Sequence, residues 1–219
     1  MPLSTKQAAC LDAMGITRWV PQTAEAVPAS TESEIDWEAL QVQVAGCTQC
    51  ALHQTRTQTV FGVGNPRADL MIIGEAPGAD EDRQGEPFVG RAGQLLNEML
   101  RAIGLNRQSV FIANILKCRP PNNRDPSPDE VAACLGYLHQ QIDYIQPRLI
   151  LALGRIAAQR LLKTDTALGR LRGKLHQLPQ TGTPFVVTYH PAYLLRSPLD
   201  KRKAWQDLLF VRNQIELKV

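Results

Sequence analysis

Four short apolar runs, at residues 70–73, 110–115, 149–153 and 185–188, decide most of what this chain can become. Each is too short for a buried helix and stops in a polar or glycine-rich turn, which is the pattern of strands covered on both faces. Segments with helical spacing separate them: 94–103 halted by Gly104, 129–144, 156–162 and a terminal 203–217. The second opens on Ser127-Pro128-Asp129-Glu130, in which Ser caps, Pro suits the first turn and Glu closes a capping box. Strands alternating with helices predict a three-layer α/β/α sandwich around a mostly parallel sheet of about four strands. Ligands of such sheets sit beyond the carboxyl ends of the strands, so function is sought in the segments that leave those ends.

Cysteines punctuate the same frame. Cys47 and Cys50 form a C-x-x-C pair, Cys118 follows 68 residues after Cys50, and Cys134 lies 16 residues further on. Thiolates are preferred ligands of zinc and iron-sulfur centres, and C-x-x-C sets two sulfurs on one ion or cluster without backbone strain. Disulfides or unrelated buried thiols are the other readings, and spacing alone does not choose between zinc and iron. No secretory leader is recognisable, and no apolar run approaches the roughly 18 residues of a membrane span. A cytoplasmic, nucleoid-associated protein is expected, whose thiols stay reduced, with Cys10 an ordinary free thiol.

The net charge of +3 hides an asymmetry. Residues 1–46 hold two basic and six acidic side chains, a net −4, which leaves about +7 on the remainder. A basic body suits a polyanionic partner such as nucleic acid. Residues 21–34 have linker composition, nearly devoid of large apolar side chains. The expected organisation is a flexible acidic leader over 1–34, with a short helix ending near Met14 before Gly15, and a folded domain over 35–219.

The strand ends carry the chemistry. After the first comes GEAPGADED (74–82), a tight loop whose backbone can approach a planar ligand and whose Glu75 and Glu81 add acid. Next, GEPFVGRAG (85–93) places Phe88 before a helix, where amides can hold a phosphate and the ring can stack on a base or simply fill the core. The second strand delivers Asn114, whose amide offers a donor and an acceptor in one plane and so matches a pyrimidine edge; bonding to backbone is the plainer role. His190 follows the fourth strand in HPAYLLR, with Leu194, Leu195 and Arg196 beyond it.

These loops, the KCRPP segment around Cys118 and the four-cysteine spacing together resemble the family 4 uracil-DNA glycosylases over residues 40–215. Members are monofunctional base-excision enzymes with a 4Fe-4S cluster. The resemblance implies that Cys47, Cys50, Cys118 and Cys134 ligate that cluster. It also implies hydrolysis of the N-glycosidic bond of a deoxyuridine flipped out of uracil-containing DNA. Phe88 is then expected to stack on uracil, and Asn114 to accept from N3–H and donate to O4. Backbone groups of Gly74, Glu75 and Ala76 complete the pocket, and His190 donates to O2 as charge develops there. Glu75, or else Glu81, positions or deprotonates the attacking water. Ala76 stands where the best-known uracil glycosylases carry a catalytic Asp. Arg91, Arg119, Arg124, Arg172 and Arg196 are expected at DNA, with Arg170 and Lys174 nearby, and Leu194 or Leu195 fills the gap left by the flipped nucleotide.

Two alternatives stay open. A related branch becomes covalently attached to abasic DNA through a histidine in a basic loop; it usually carries Gln at the position of Ala76, and His176 is the residue here that keeps it in view. The leader's Leu11, Met14-Gly15-Ile16 and Trp19 are similar to the N-terminal peptide of the psi subunit of the bacterial clamp loader. That similarity implies a replication scaffold, or clamp-loader subunits as partners of residues 1–22.

Overall fold

The four apolar runs become β2 (Leu70–Gly74), β3 (Phe111–Asn114), β4 (Leu149–Leu153) and β6 (Pro184–Thr188) of a computed structural model. β3 pairs with β2, β2 with β4 and β4 with β6, all in parallel. Two-residue antiparallel edges, β1 (Val63–Gly64) on β3 and β5 (His176–Gln177) on β6, bring the sheet to six strands in the order β1-β3-β2-β4-β6-β5. Strands of two residues have no periodicity to display, which is why about four were expected. The structure describes residues 6, 13–15 and 36–216. Gly15 has a left-handed φ of +68°, as a helix stop requires; the rest of the leader's expected features lie outside the described residues.

Alternation along each strand sorts the core into two layers. Met71, Ile73, Phe111, Ala113, Ile150, Ala152, Phe185 and Val187 face α1 (Trp37–Ala45), α4 (Pro128–Ile145) and α5 (Arg155–Leu162). Leu70, Ile72, Ile112, Leu149, Leu151 and Val186 face α3 (Arg91–Ala102) and α8 (Lys201–Glu216). Each such fully covered Leu, Ile, Val, Met or Phe side chain contributes about 1.5–3 kcal/mol relative to exposure. α2 (Ala79–Gln84), α6 (Leu168–Leu171) and α7 (Pro191–Arg196) are short. The sandwich is therefore α/β/α as expected.

Helix starts follow the predicted chemistry. At α4 the Ser127 hydroxyl accepts from the Glu130 amide, the Glu130 carboxylate accepts from the Ser127 amide, and Pro128 occupies the first turn. Within the sheet β2 lies between β3 and β4, so the chain reverses its direction of progress there. Such a reversal opens a crevice at the carboxyl ends, and Glu75, Asn114 and His190 leave the strands around it.

Candidate functional site

A cleft of about 440 Å³ occupies that crevice, and Glu75, Phe88, Asn114, Asp125, His190 and Arg196 are among its walls. Asn114, the last residue of β3, is 2 % exposed. Its Oδ1 is buried with no hydrogen-bond partner, so the floor of the cleft holds an acceptor waiting for a donor. Phe88 covers the same spot, its ring centroid 5.6 Å from that of His190. Its φ of +56° is unusual for a residue with a side chain. Surrounding bonds hold it there: Arg107 donates to the carbonyls of Pro87 and Phe88 at 2.7 and 3.1 Å. Gly74 makes the close approach possible, because a Cβ on it would stand 2.3 Å from Asn114 Oδ1 and 2.7 Å from the Phe88 ring. Its carbonyl and that of Glu75 accept from the Ile115 and Leu116 amides, so these two carbonyls are engaged in the β2–β3 connection.

His190 is the N-cap of α7, and its Nδ1 accepts from the Ala192 amide at 3.1 Å. Burial, reinforced by Arg196, pushes its pKa down to about 4. A neutral ring whose Nδ1 is an acceptor carries its proton on Nε2, leaving a donor on the other nitrogen. Glu75 is shifted the other way: burial and then the nearby Asp125 raise it to about 7, against a smaller opposing effect of Arg155. Arg155 also pairs with Asp125 at 3.2 Å. Neither residue stood out in the sequence, since each reads as ordinary surface charge.

The expected second carboxylate is differently employed. Glu81 Oε1 accepts from the Val89 and Gly90 amides at 3.0 and 3.1 Å, and Oε2 accepts from Gly78 at 3.1 Å. Both oxygens clasp the loop carrying Phe88, so Glu81 is a brace of the cleft wall and not a free base. Three residues after the N-cap Gly78, Glu81 makes the half of a capping box open to a glycine, which has no side chain to return the bond.

Of the residues expected at DNA, Arg91, Arg124 and Arg196 are exposed, and Arg124 and Arg196 line the cleft. Arg119 donates to Asn123 at 2.8 Å, and Arg124 forms a forked pair with Glu130. Arg172 departs from expectation: its guanidinium, 11 % exposed, bonds Asp207 at 2.7 Å and the Lys203 carbonyl at 2.6 Å and lies 4.3 Å over the Tyr189 ring. A cation so committed braces α8 against β6 and does not reach a phosphate. Leu194 is 1 % exposed in the layer against α3 and α8, so it cannot serve as a wedge without unpacking the core. Leu195 is partly exposed, and Leu199, which the sequence reading passed over, is 94 % exposed. The Pro198–Asp200 turn presents it, pinned by a 2.6 Å bond from the Tyr193 hydroxyl to Asp200. His176 bonds the Leu171 carbonyl on the edge strand and is not among the residues lining the cleft.

A second cavity lies behind β3. Cys47, Cys50, Cys118 and Cys134 all line it, and all four are free thiols. Nitrogen donors reach two of the sulfurs, Arg56 Nη1 to Cys118 at 3.1 Å and the Lys117 amide to Cys134 at 3.2 Å. Burial pushes the Cys134 thiol up to about 11, so it ionises only when positive charge arrives. Among the described residues no three His, Cys, Asp or Glu side chains are arranged to hold a metal ion. Four thiols lining one cavity, two of them reached by N–H donors, are the ligand type of zinc and iron-sulfur centres.

Comparison with known proteins follows this geometry. A family model described as the uracil DNA glycosylase superfamily matches residues 61–209. A type-4 uracil-DNA glycosylase of Archaeoglobus fulgidus is 48% identical over 162 residues, covering 71% of this chain and 81% of the relative. Another, of Pyrobaculum aerophilum, is 46% identical over 180 residues, 80% of this chain and 92% of the relative. A type-5 uracil-DNA glycosylase of Thermus thermophilus shares 34% over 118 residues, 47% of this chain and 53% of its own length.

Proposed function

This chain belongs to the uracil-DNA glycosylase superfamily, and from that membership we propose that the cleft beyond β2, β3 and β6 receives a uracil flipped out of DNA and frees it by hydrolysis. It is a uracil-DNA glycosylase, a monofunctional hydrolase of N-glycosyl bonds. The observation that carries the site assignment is the buried, unpartnered Oδ1 of Asn114. Uracil N3–H supplies the donor that this oxygen lacks, and uracil O4 accepts a hydrogen bond from Nδ2. Cytosine has no proton on N3 and a donor in place of O4, so it leaves the buried groups mismatched. Phe88 stacks on the base, and the Gly74 to Ala76 loop limits the pocket to a flat ring.

Bond cleavage leaves negative charge on uracil and oxocarbenium character on the sugar. A neutral His190 with its proton on Nε2 donates to O2 where the charge develops, and meets it without a proton transfer. Glu75, poised near neutrality by burial and Asp125, orients the water or takes its proton. Arg91, Arg119 and Arg196 hold phosphates on the cleft side. Leu199 or Leu195 enters the stack vacated by the base.

The cysteine cavity fits the 4Fe-4S cluster of the type-4 enzymes, with Cys47, Cys50, Cys118 and Cys134 as ligands. The bound group supplies a rigid tie between the segment at Cys47, the loop after β3 and α4, and no redox step is needed for hydrolysis. Docking of residues 1–22 to clamp-loader subunits rests on the leader's sequence alone; unchanged clamp-loader binding after their deletion refutes it.

The site assignment is tested with Asn114→Ala on a uracil-containing duplex under single-turnover conditions. Loss of a bond aimed at the departing base costs about 10²–10³ in rate, with DNA affinity retained. Excision at the wild-type rate removes Asn114 from the pocket.

A further inference from the structure

Lys117 is the largest of the fully buried side chains, 1 % exposed, on the wall of the cysteine cavity. Its Nζ donates to the Asn114 carbonyl at 2.9 Å and to Gln141 Oε1 at 2.6 Å. Gln141, on α4 two turns after Cys134, is itself fixed by donating to the Phe61 carbonyl at 3.0 Å. The same lysine's amide donates to Cys134 Sγ, and its carbonyl accepts from Val60 at 2.7 Å. No carboxylate answers the ammonium: the ion pairs among the described residues leave it out. Burial disfavours an ammonium that has no counter-charge, and negative charge close by offsets that cost. Thiolates holding a metal centre supply it, and the cavity they line is the one Lys117 borders.

We propose that Lys117 is a positioning residue joining the two sites: its ammonium is the counter-charge of the metal-bound thiolates and, through the Asn114 carbonyl, the brace that sets the Asn114 amide for the base. The proposal deepens the glycosylase reading and rests on it. Asn114 ends its strand, and its side chain makes no protein bond through Oδ1. Its direction is therefore governed by the backbone, and the Lys117 bond holds that backbone from behind. Loss of the metal centre strands the ammonium, loosens this bond and degrades base recognition without touching a phosphate contact.

The test uses the full chain with its metal and two variants. Lys117→Met removes charge and donors at similar volume; Lys117→Gln keeps an amide that donates to the Asn114 carbonyl but carries no charge. Metal release to a chelator is followed by absorbance and metal analysis. Uracil excision is read at saturating enzyme, with the Kd for the uracil duplex measured alongside. Both variants are expected to release metal roughly tenfold faster, as when the outer partners of a metal site are lost. Lys117→Met is expected to excise roughly tenfold or more slowly with an unchanged Kd, while Lys117→Gln excises within about threefold of wild type.

Unchanged metal release in both variants overturns the counter-charge, and unchanged excision in Lys117→Met overturns the brace; either result overturns the coupling. Should Lys117→Met not fold, Lys117→Gln decides, since faster release beside near-normal excision supports the proposal and any other pair of results overturns it. A general packing defect lowers thermal stability without separating the two readouts. Zinc in place of iron in the wild type contradicts the cluster reading but leaves the test whole, because release of either metal is measured. A wild type that excises no uracil contradicts the glycosylase reading and the brace with it, and the release arm still judges the counter-charge.

Discussion

Gly74→Ala inserts one methyl group into the narrowest part of the site. The new Cβ stands 2.3 Å from Asn114 Oδ1 and 2.7 and 2.9 Å from two carbons of the Phe88 ring, where ordinary contact begins at 3.4 Å. The Asn114 oxygen must therefore withdraw by about 1 Å and the ring by about 0.7 Å, taken from the same contacts. Gly74 is not in the left-handed region, so alanine adds no backbone strain, and the cost to folding is that of local overpacking, about 1–3 kcal/mol. The cost to chemistry is larger. A hydrogen bond to uracil N3–H lengthened by about 1 Å is no longer one, and a misplacement of that size slows excision by roughly 10²-fold. The assay is single-turnover release of uracil from a duplex at saturating enzyme, with metal content and DNA affinity measured on the same sample. Both should match wild type, because the cysteines and the arginines proposed to hold phosphates lie elsewhere. A folded, metal-loaded Gly74→Ala protein excising within about threefold of wild type refutes the reasoning, since a pocket closed on Asn114 and Phe88 has no room for the methyl.

Three other expectations follow from particular contacts. If ionised Glu75 activates water, the rate falls as pH drops below about 7, and Asp125→Asn, by removing a neighbouring negative charge, moves the midpoint downward; an unmoved midpoint takes Glu75 out of the role. Leu199→Ala should slow excision from duplex DNA more than from single strands and leave folding unchanged, whereas Leu194→Ala should destabilise by about 2–5 kcal/mol as a core truncation. The opposite assignment in denaturation and kinetics would contradict the exposure of the two leucines. Asp207→Ala leaves the largely covered Arg172 guanidinium without its counter-charge and should cost about 3–5 kcal/mol in chemical denaturation, with a loss below about 1 kcal/mol contradicting a pair shielded from solvent.

How far the chain could be read depended on what each signal physically was. β2, β3, β4 and β6 were legible because strands covered on both faces must be continuously apolar, and α4 because Ser127, Pro128 and Glu130 are all local to its start. Asn114 and His190 were found through their position after strands and Phe88 through its loop before a helix, the family resemblance supplied their roles, and the cleft brings the three together. Pairings across long separations were not legible. Arg172 looked like one of a basic cluster, yet its partner Asp207 is 35 residues away, on a helix whose packing only the fold decides. Glu81 looked like Glu75, because an acid in a loop reads the same whether its oxygens are free or clasp three amides. Lys117, within KCRPP, carries no local mark of burial, and only the fold places it in the core.

The central claim is that the cleft built by Gly74, Phe88, Asn114 and His190 excises uracil from DNA. It is tested most directly by incubating wild-type protein, metal content confirmed, with matched oligonucleotides carrying uracil, cytosine or thymine at one position, and quantifying free base and alkali-labile sites. Uracil released with an abasic site left behind, and neither cytosine nor thymine released, is the predicted result. Folded, metal-loaded protein that leaves the uracil strand intact contradicts it.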